Sequence, residues 1–154
     1  MKNQPSFQVG ADMFHCLQRI LGFASGDNTG ALGEKHAAEW LHRTRGFVMV
    51  ARNWRDPRDR RQEIDLVCRD GDVLVFVEVK ARAAGALVPG YFAVDRKKKR
   101  VMRRAIDAYL SQLTKPPRTF RFDVVEIAHA ASGKAPPEVL HFENIPLFPK
   151  QYRG

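Results

Sequence analysis

Asp65, Glu78 and Lys80 are the residues of this chain whose types and spacing point to chemistry. They lie in E-I-D-L-V-C-R-D-G-D-V-L-V-F-V-E-V-K, residues 63–80, which reads as two strands joined at Asp70-Gly71. An Asp-Gly pair between apolar alternations predicts a type I′ hairpin turn. A two-residue loop there sets Arg69 against Asp72, Asp65 against Phe76 and Glu63 against Glu78. Strand side chains alternate between faces. Glu63, Asp65, Val67, Leu74, Phe76, Glu78 and Lys80 therefore share one side, and Ile64, Leu66, Cys68, Val73, Val75, Val77 and Val79 share the other. Two carboxylates and an ammonium group project from a sheet whose opposite side is aliphatic.

In that register Asp65 and Glu78 are diagonal neighbours, about 7–8 Å apart at their α-carbons. Their carboxylates can converge on one cation, with the backbone carbonyl of Val79 as a further oxygen ligand. Oxygen-only ligation suits Mg²⁺ or Mn²⁺. Such an ion polarises a phosphodiester and lowers the pKa of a bound water. Lys80, on the same face as Glu78, can orient that water or stabilise charge on a pentavalent phosphate. The bare D…E-x-K pattern also arises on solvated sheet faces. Three features raise it above that background. Val67, Leu74 and Phe76 share the acidic face, V-L-V-F-V-E-V-K is apolar on both sides as a buried strand is, and the surrounding chain is basic. Charges that end a buried strand need partners or a hydrated cleft.

The elements that must hold these residues follow from the patterning. At 154 residues the chain is long enough for one domain with its own core. Residues 1–29 read as an extension in which Asp12 can cap a short helix bearing Met13, Phe14, Leu17 and Leu21. Residues 30–148 form the main domain and 149–154 a tail. A helix is predicted from Thr29 or Ala31 to Arg45, with Leu32, Ala37, Trp40 and Leu41 inward and a stop at Gly46. A strand follows over 47–53, then an arginine-rich loop over 54–61 and the hairpin. Residues 81–92 read as a mobile loop. A second helix runs from Asp95 to about Leu113 with Val101, Ala105, Tyr109, Leu110 and Leu113 buried, and ends before Pro116-Pro117. A strand over 120–128 pairs parallel to residues 73–80, since a helical crossover separates them. Residues 139–142 add an edge strand. The fold class is α/β, a mixed central sheet of four to five strands flanked by helices in α-β-β-β-α-β order.

Net charge is +9 and the isoelectric point about 10.0, which favours a polyanionic partner, nucleic acid foremost. Arg52, Arg55, Arg58, Arg60 and Arg61, with Lys97, Lys98, Lys99, Arg100, Arg103 and Arg104, make two basic stretches flanking the hairpin. Such groups contact phosphates and give salt-sensitive affinity without sequence preference. Trp54 can stack on a base or pack at a strand end. Cys16 and Cys68 are too few for a disulfide scaffold or a cysteine zinc site and fit a reducing compartment. No apolar run approaches a membrane span and no secretory signal is legible, so the cytoplasm is expected. The five histidines show no ligand spacing, and neither a nucleophile elbow nor a phosphate-binding loop is present.

G-x-x-G-E-x-x-A-x-x-x-L (residues 30–41), R-N-W-R (52–55), E-I-D-L-V (63–67), F-V-E-V-K-x-R (76–82), a lysine-rich start to the second helix and R-F-D-V-V (121–125) occur in this order. This set resembles the YraN-like family of uncharacterised proteins. That family is placed in the restriction-endonuclease-like, PD-(D/E)-x-K superfamily and has a core similar to archaeal Holliday-junction resolvases. The resemblance covers about residues 30–127 and implies a restriction-endonuclease-like core. It sets Asp65 at the first acid, Glu78 at the second and Lys80 at the lysine. Glu34 matches a first-helix acid that supports the metal in related nucleases. Ile64 rather than proline precedes the first acid, as is usual in this family, while Gln62 stands where glycine is common. Because the resolvases act as dimers, the resemblance extends to a homodimer, although no self-complementary surface is legible in the residues.

The resulting expectation is a Mg²⁺- or Mn²⁺-dependent endonuclease acting on DNA, structure-selective for junctions or branches. Asp65 and Glu78 are its ligands with Glu34 in support, Lys80 is the catalytic cation, and Arg52, Arg55, Lys97, Lys98 and Arg100 meet the nucleic acid. The alternatives are a nucleic-acid-binding module of the same fold with little or no cleavage, and an interaction protein whose basic surface meets an acidic partner. Glu63 is expected to pair with Arg61 or Arg82, and Asp123 to pair structurally with Arg121 or a lysine.

Overall fold

The structure, a computed structural model, describes residues 28–83, 96–129 and 136–147. The expected N-terminal helix around Met13, the Asp95 cap, most of the loop over 81–92 and the tail lie outside the described residues.

Helix α1 (Asn28–Arg45) begins the described chain. It ends because Gly46 takes a left-handed φ of +72°, which a residue without Cβ adopts at no steric cost. The amides of Gly46 and Phe47 then satisfy the terminal carbonyls of His42 and Leu41. Strands β1 (Val48–Arg55), β2 (Glu63–Asp70) and β3 (Val73–Ala83) follow as an antiparallel meander. Helix α2 (Arg96–Ser111) lies between β3 and β4 (Thr119–His129), which pairs parallel to β3 along its whole length. β5 (Glu138–Phe142) closes the sheet antiparallel to β4. The sheet order is β1-β2-β3-β4-β5, a mixed five-stranded sheet.

The two helices cover opposite faces. Ala37, Ala38 and Leu41 of α1 pack on Leu66, Cys68, Val75, Val77, Val125 and Ile127. Met102, Ala105, Ile106 and Tyr109 of α2 pack on Val67, Leu74, Phe76, Phe122 and Val124. β3 is therefore apolar on both sides because it is covered on both sides, and Val75, Phe76 and Val77 have no exposed surface.

Several expectations need correction. The hairpin loop is Gly71-Asp72, one residue later than predicted, so Val67 faces Phe76 and Asp70 faces Val73. Only Gly71 takes positive φ (+56°), the arrangement of a glycine-first turn, whereas type I′ needs positive φ at both central residues. The register error is two residues. It leaves the assignment of faces intact, because side-chain direction repeats every two. Past Leu66 the alternation breaks, and Ile64 joins the α2 core with Val67. In α1 the inward stripe runs through buried Gly33, where a Cβ would come within 4.0 Å of Val79 and Ala81, so Leu32 next to it is 43 % exposed. In α2 Met102 and Ile106, not Val101, complete the stripe with Ala105 and Tyr109. Residues 81–83 continue β3 rather than opening the loop, because β4 is long enough to pair with them.

Asp123 is fully buried on the α1 side and belongs to a structural ion cluster. Its oxygens accept from Arg121 Nε at 3.1 Å and from the Asn144 amide at 2.8 Å, with His141 Nε2 at 3.0 Å. Arg121 also reaches Asp70 at 2.8 Å, and Arg45 pairs with Glu143 nearby. The rings of Trp40 and Phe47 stand edge-on to His141. This cluster joins β4, β5 and the tip of the hairpin. Removing one partner from a buried ionic network strands the others. Asp123→Ala is expected to lower the unfolding free energy in urea titration by about 3–5 kcal/mol. Asp70→Ala, at the half-exposed rim, should cost no more than about 1 kcal/mol.

Candidate active site

The site lies where β2 and β3 stop pairing. Their ladder ends at Leu66 opposite Val77. Extending that register one step brings Asp65 opposite Glu78. Instead of a ladder carbonyl, the side chain of Asp65 takes up the next amide: Val79 N–H donates to Asp65 Oδ2 at 2.7 Å. The carboxylate thus replaces a strand partner and is fixed in place by a backbone donor.

β1 reinforces this break. Asn53 sits between the Arg52–Leu66 and Trp54–Ile64 pairs and takes a left-handed φ of +49°. Asparagine tolerates that conformation better than other residues with a side chain. Beyond it, Trp54 and Ile64 turn to the α2 core, where the Trp54 ring stands edge-on to Tyr109 at 5.3 Å. Trp54 is thus a packing residue. The Asn53 side chain hydrogen-bonds Glu34 of α1.

Glu78 is 3 % exposed. Its Oε1 receives two ammonium groups, Lys80 Nζ at 2.7 Å and Lys98 Nζ at 3.0 Å. Its Oε2 is buried with no hydrogen-bond partner among the described residues. Burial, and next to it the charge of Glu78, pushes the Asp65 carboxyl up to about 7, while the Val79 amide and Lys98 oppose the shift. Glu34 is also raised, chiefly by burial and further by Glu63 and Glu78, against the hydrogen bond from Asn53 and the charge of Arg52. Glu34 and Lys98 therefore act on the same acid pair although their helices cover opposite faces of the sheet.

Asp65, Glu78, Lys80, Glu34 and Lys98 come together. The other candidates divide. Lys97 and Arg100 are exposed on the first turns of α2. Arg55 is exposed but bonds Glu63 across the β1–β2 pair at 2.9 Å, the partner that proximity in sequence to Arg61 and Arg82 had hidden. Arg52 is half-buried, pairs with Leu66 of the α1 face, and acts on Glu34 and on Cys68. Cys68 is buried and its thiol is pushed up to about 12, mainly by burial, which makes it a poor nucleophile.

Two residues escaped the sequence reading. Asn53 lies inside strand β1, and an Asn within a strand is a signal for a left-handed residue. Glu126 is 1 % exposed and stands in register beside Lys80. Its signal was an acid within the apolar strand F-D-V-V-E-I.

The donor set suits an oxygen-seeking dication. Asp65 and Glu78 supply two carboxylates, one with an unpartnered buried oxygen, and Mg²⁺ commonly takes one or two carboxylates and completes its shell with water and phosphate oxygens. Among the described residues no three His, Cys, Asp or Glu groups stand close enough to form a metal cage.

Helix, antiparallel strands, crossover helix and parallel strand define an α/β protein with a mixed five-stranded sheet, consistent with a restriction-endonuclease-like core. Residues 33–127 match the uncharacterised protein family UPF0102, and the chain belongs to that family, the one to which the YraN-like motifs pointed. A UPF0102 protein of Beutenbergia cavernae is 41% identical over 109 residues, covering 71% of this chain and 89% of the relative. One from Anaeromyxobacter dehalogenans is 44% identical over 129 residues, 80% of this chain and 90% of the relative. No helix among the described residues is long and apolar enough to cross a membrane.

The raised Asp65 carboxyl has a stability consequence. Its folded-state pKa of about 7 lies above the ordinary 3.8, so the folded protein binds a proton that the unfolded chain has lost. Stability therefore falls as pH rises from about 4 to about 7. Asp65→Asn keeps an acceptor for the Val79 amide and removes the charge. In metal-free buffer it is expected to raise the melting temperature by about 2–6 °C at pH 8 and to leave it unchanged at pH 4.

Proposed function

We propose that this protein is a divalent-metal-dependent nuclease that hydrolyses phosphodiester bonds in DNA, with preference for branched or junction structures. The observation that carries this reading is the convergence of Asp65, Glu78 and Lys80 at the parting of β2 and β3, with Glu78 buried and one of its oxygens unpartnered. Asp65 and Glu78 would hold a Mg²⁺ or Mn²⁺ ion, which when bound supplies charge to polarise the phosphodiester and acidify water.

The chain's own residues do the rest. The Val79 amide fixes Asp65, so the first ligand pays little ordering entropy when the site fills. Glu34, positioned by Asn53, adds negative charge behind the pair. Lys80 Nζ, beside Glu78 and partly exposed, faces the side from which a phosphate approaches. There it orients the attacking water and stabilises the charge that develops on phosphorus-bound oxygen. Lys97 and Arg100 line the adjacent surface of α2 and contact the nucleic-acid backbone, with Arg55 at the rim. The resemblance to junction resolvases supports DNA as the substrate and a homodimer as the acting form, and the reducing-compartment reading of the cysteines supports the cytoplasm.

A nucleic-acid-binding protein with little or no cleavage is the second reading. The ammonium groups that already satisfy one oxygen of Glu78 favour it.

Incubation with linear and branched DNA in Mg²⁺ or Mn²⁺ separates the two. Cleavage is expected, lowered about 10²–10³-fold by Lys80→Ala and abolished by Glu78→Gln, with DNA retention largely preserved in both. Retention without cleavage under any of these ions would establish the second reading, and cleavage that persists in both variants would assign the activity elsewhere.

A further inference from the structure

Glu78 is approached by two cations where the catalytic reading needs one. Lys80 lies two residues from Glu78 on the same strand, β3, with its side chain 31 % exposed. Lys98 comes from the first turn of α2, on a separate element, and its side chain is 41 % exposed. Both bond the same oxygen, Oε1, while Oε2 has no hydrogen-bond partner among the described residues. When both are ionised, Asp65 and Glu78 carry two negative charges, which the ammonium groups of Lys80 and Lys98 offset. The acid pair is therefore already compensated by cations before any metal ion arrives.

A dication entering this poorly hydrated site is opposed by an ammonium group a few ångströms away. The opposition disappears if that ammonium moves to an incoming anion. Lys98 is built for such a move: it has a long flexible stem, an open route to solvent, and exposed Lys97 and Arg100 on the same turns of α2. A phosphate held by those neighbours lies within reach of its stem.

We infer that Lys98 is a displaceable counter-cation: it holds Glu78 in the free protein and transfers to a phosphate of the bound nucleic acid, so that metal loading is coupled to substrate binding. This inference rests on the nuclease reading of the same acid pair. It explains why the two carboxylates can persist side by side without metal. It also makes cleavage conditional, since a protein free of DNA binds the ion weakly and a protein on DNA binds it well. Coupling of this kind is reciprocal: the ion also tightens the DNA complex.

Calorimetric titration with Mn²⁺ tests it on the wild type, Lys98→Met, Lys98→Arg and Asp65→Ala, each confirmed as folded by thermal melting. In the absence of DNA, Lys98→Met is expected to bind Mn²⁺ about tenfold more tightly than the wild type, Lys98→Arg to resemble the wild type, and Asp65→Ala to lose saturable binding. With a phosphorothioate-linked oligonucleotide in excess, and Asp65→Ala reporting ion taken up by the oligonucleotide itself, wild-type affinity should rise to that of Lys98→Met. Equal or weaker affinity in Lys98→Met, with binding still lost in Asp65→Ala, overturns this inference and leaves the nuclease reading standing. Absence of saturable Mn²⁺ binding in both the wild type and Lys98→Met overturns both.

Discussion

Two carboxylates of like sign, placed together where water is scarce, repel each other unless a cation stands between or beside them. Asp65 and Glu78 are in that position. One is tied to a backbone amide and cannot turn away, and the other is almost completely covered. The raised Asp65 carboxyl and the two ammonium groups on Glu78 are responses to the same constraint. A chain selected only for stability has no use for it, because apolar residues at these positions would pack without charge.

The fold is arranged to maintain the constraint. β3 is clamped by β4 along its full length and by helices on both faces, so Glu78 and Lys80 project from the least movable strand of the sheet. β2 is paired to β3 only as far as Leu66. Past that point the left-handed Asn53 and the turn of Ile64 and Trp54 toward α2 break the alternation, and Glu34 of α1 and Lys98 of α2 act on Asp65 there. The Asp123 cluster, on the other face, joins β4 and β5 to the hairpin tip without using any group of the candidate site.

Much of this was legible in the residues, for identifiable reasons. The strand order and the helix between β3 and β4 follow from hydrophobic period and from the length a parallel connection requires. The shared face of Val67, Leu74 and Phe76 survived a wrong turn type because the error was even-numbered. What lay hidden were contacts between elements distant in sequence. Lys98 reads as one member of a solvated basic run, and nothing local says that its stem points at Glu78. Arg52 reads as a surface arginine until β1 is placed next to β2 and under α1. The bond from Asn53 to Glu34 joins a strand to a helix and depends on a backbone angle that composition does not encode. Leu32 and Val101 were misplaced for a simpler reason, since a helical stripe read without its partner surface is uncertain by one position.

Membership of an uncharacterised family gives the chain relatives without giving it a reaction, so its chemistry rests on the acid pair alone. Crystals soaked in saturating Mn²⁺ and measured at a wavelength where manganese scatters anomalously address that pair directly. The account predicts one anomalous peak within coordination distance of both Asp65 and Glu78, on the side of the unpartnered Glu78 oxygen. Crystals at saturating Mn²⁺ with no peak there, and with both lysines still seated on Glu78, would contradict it.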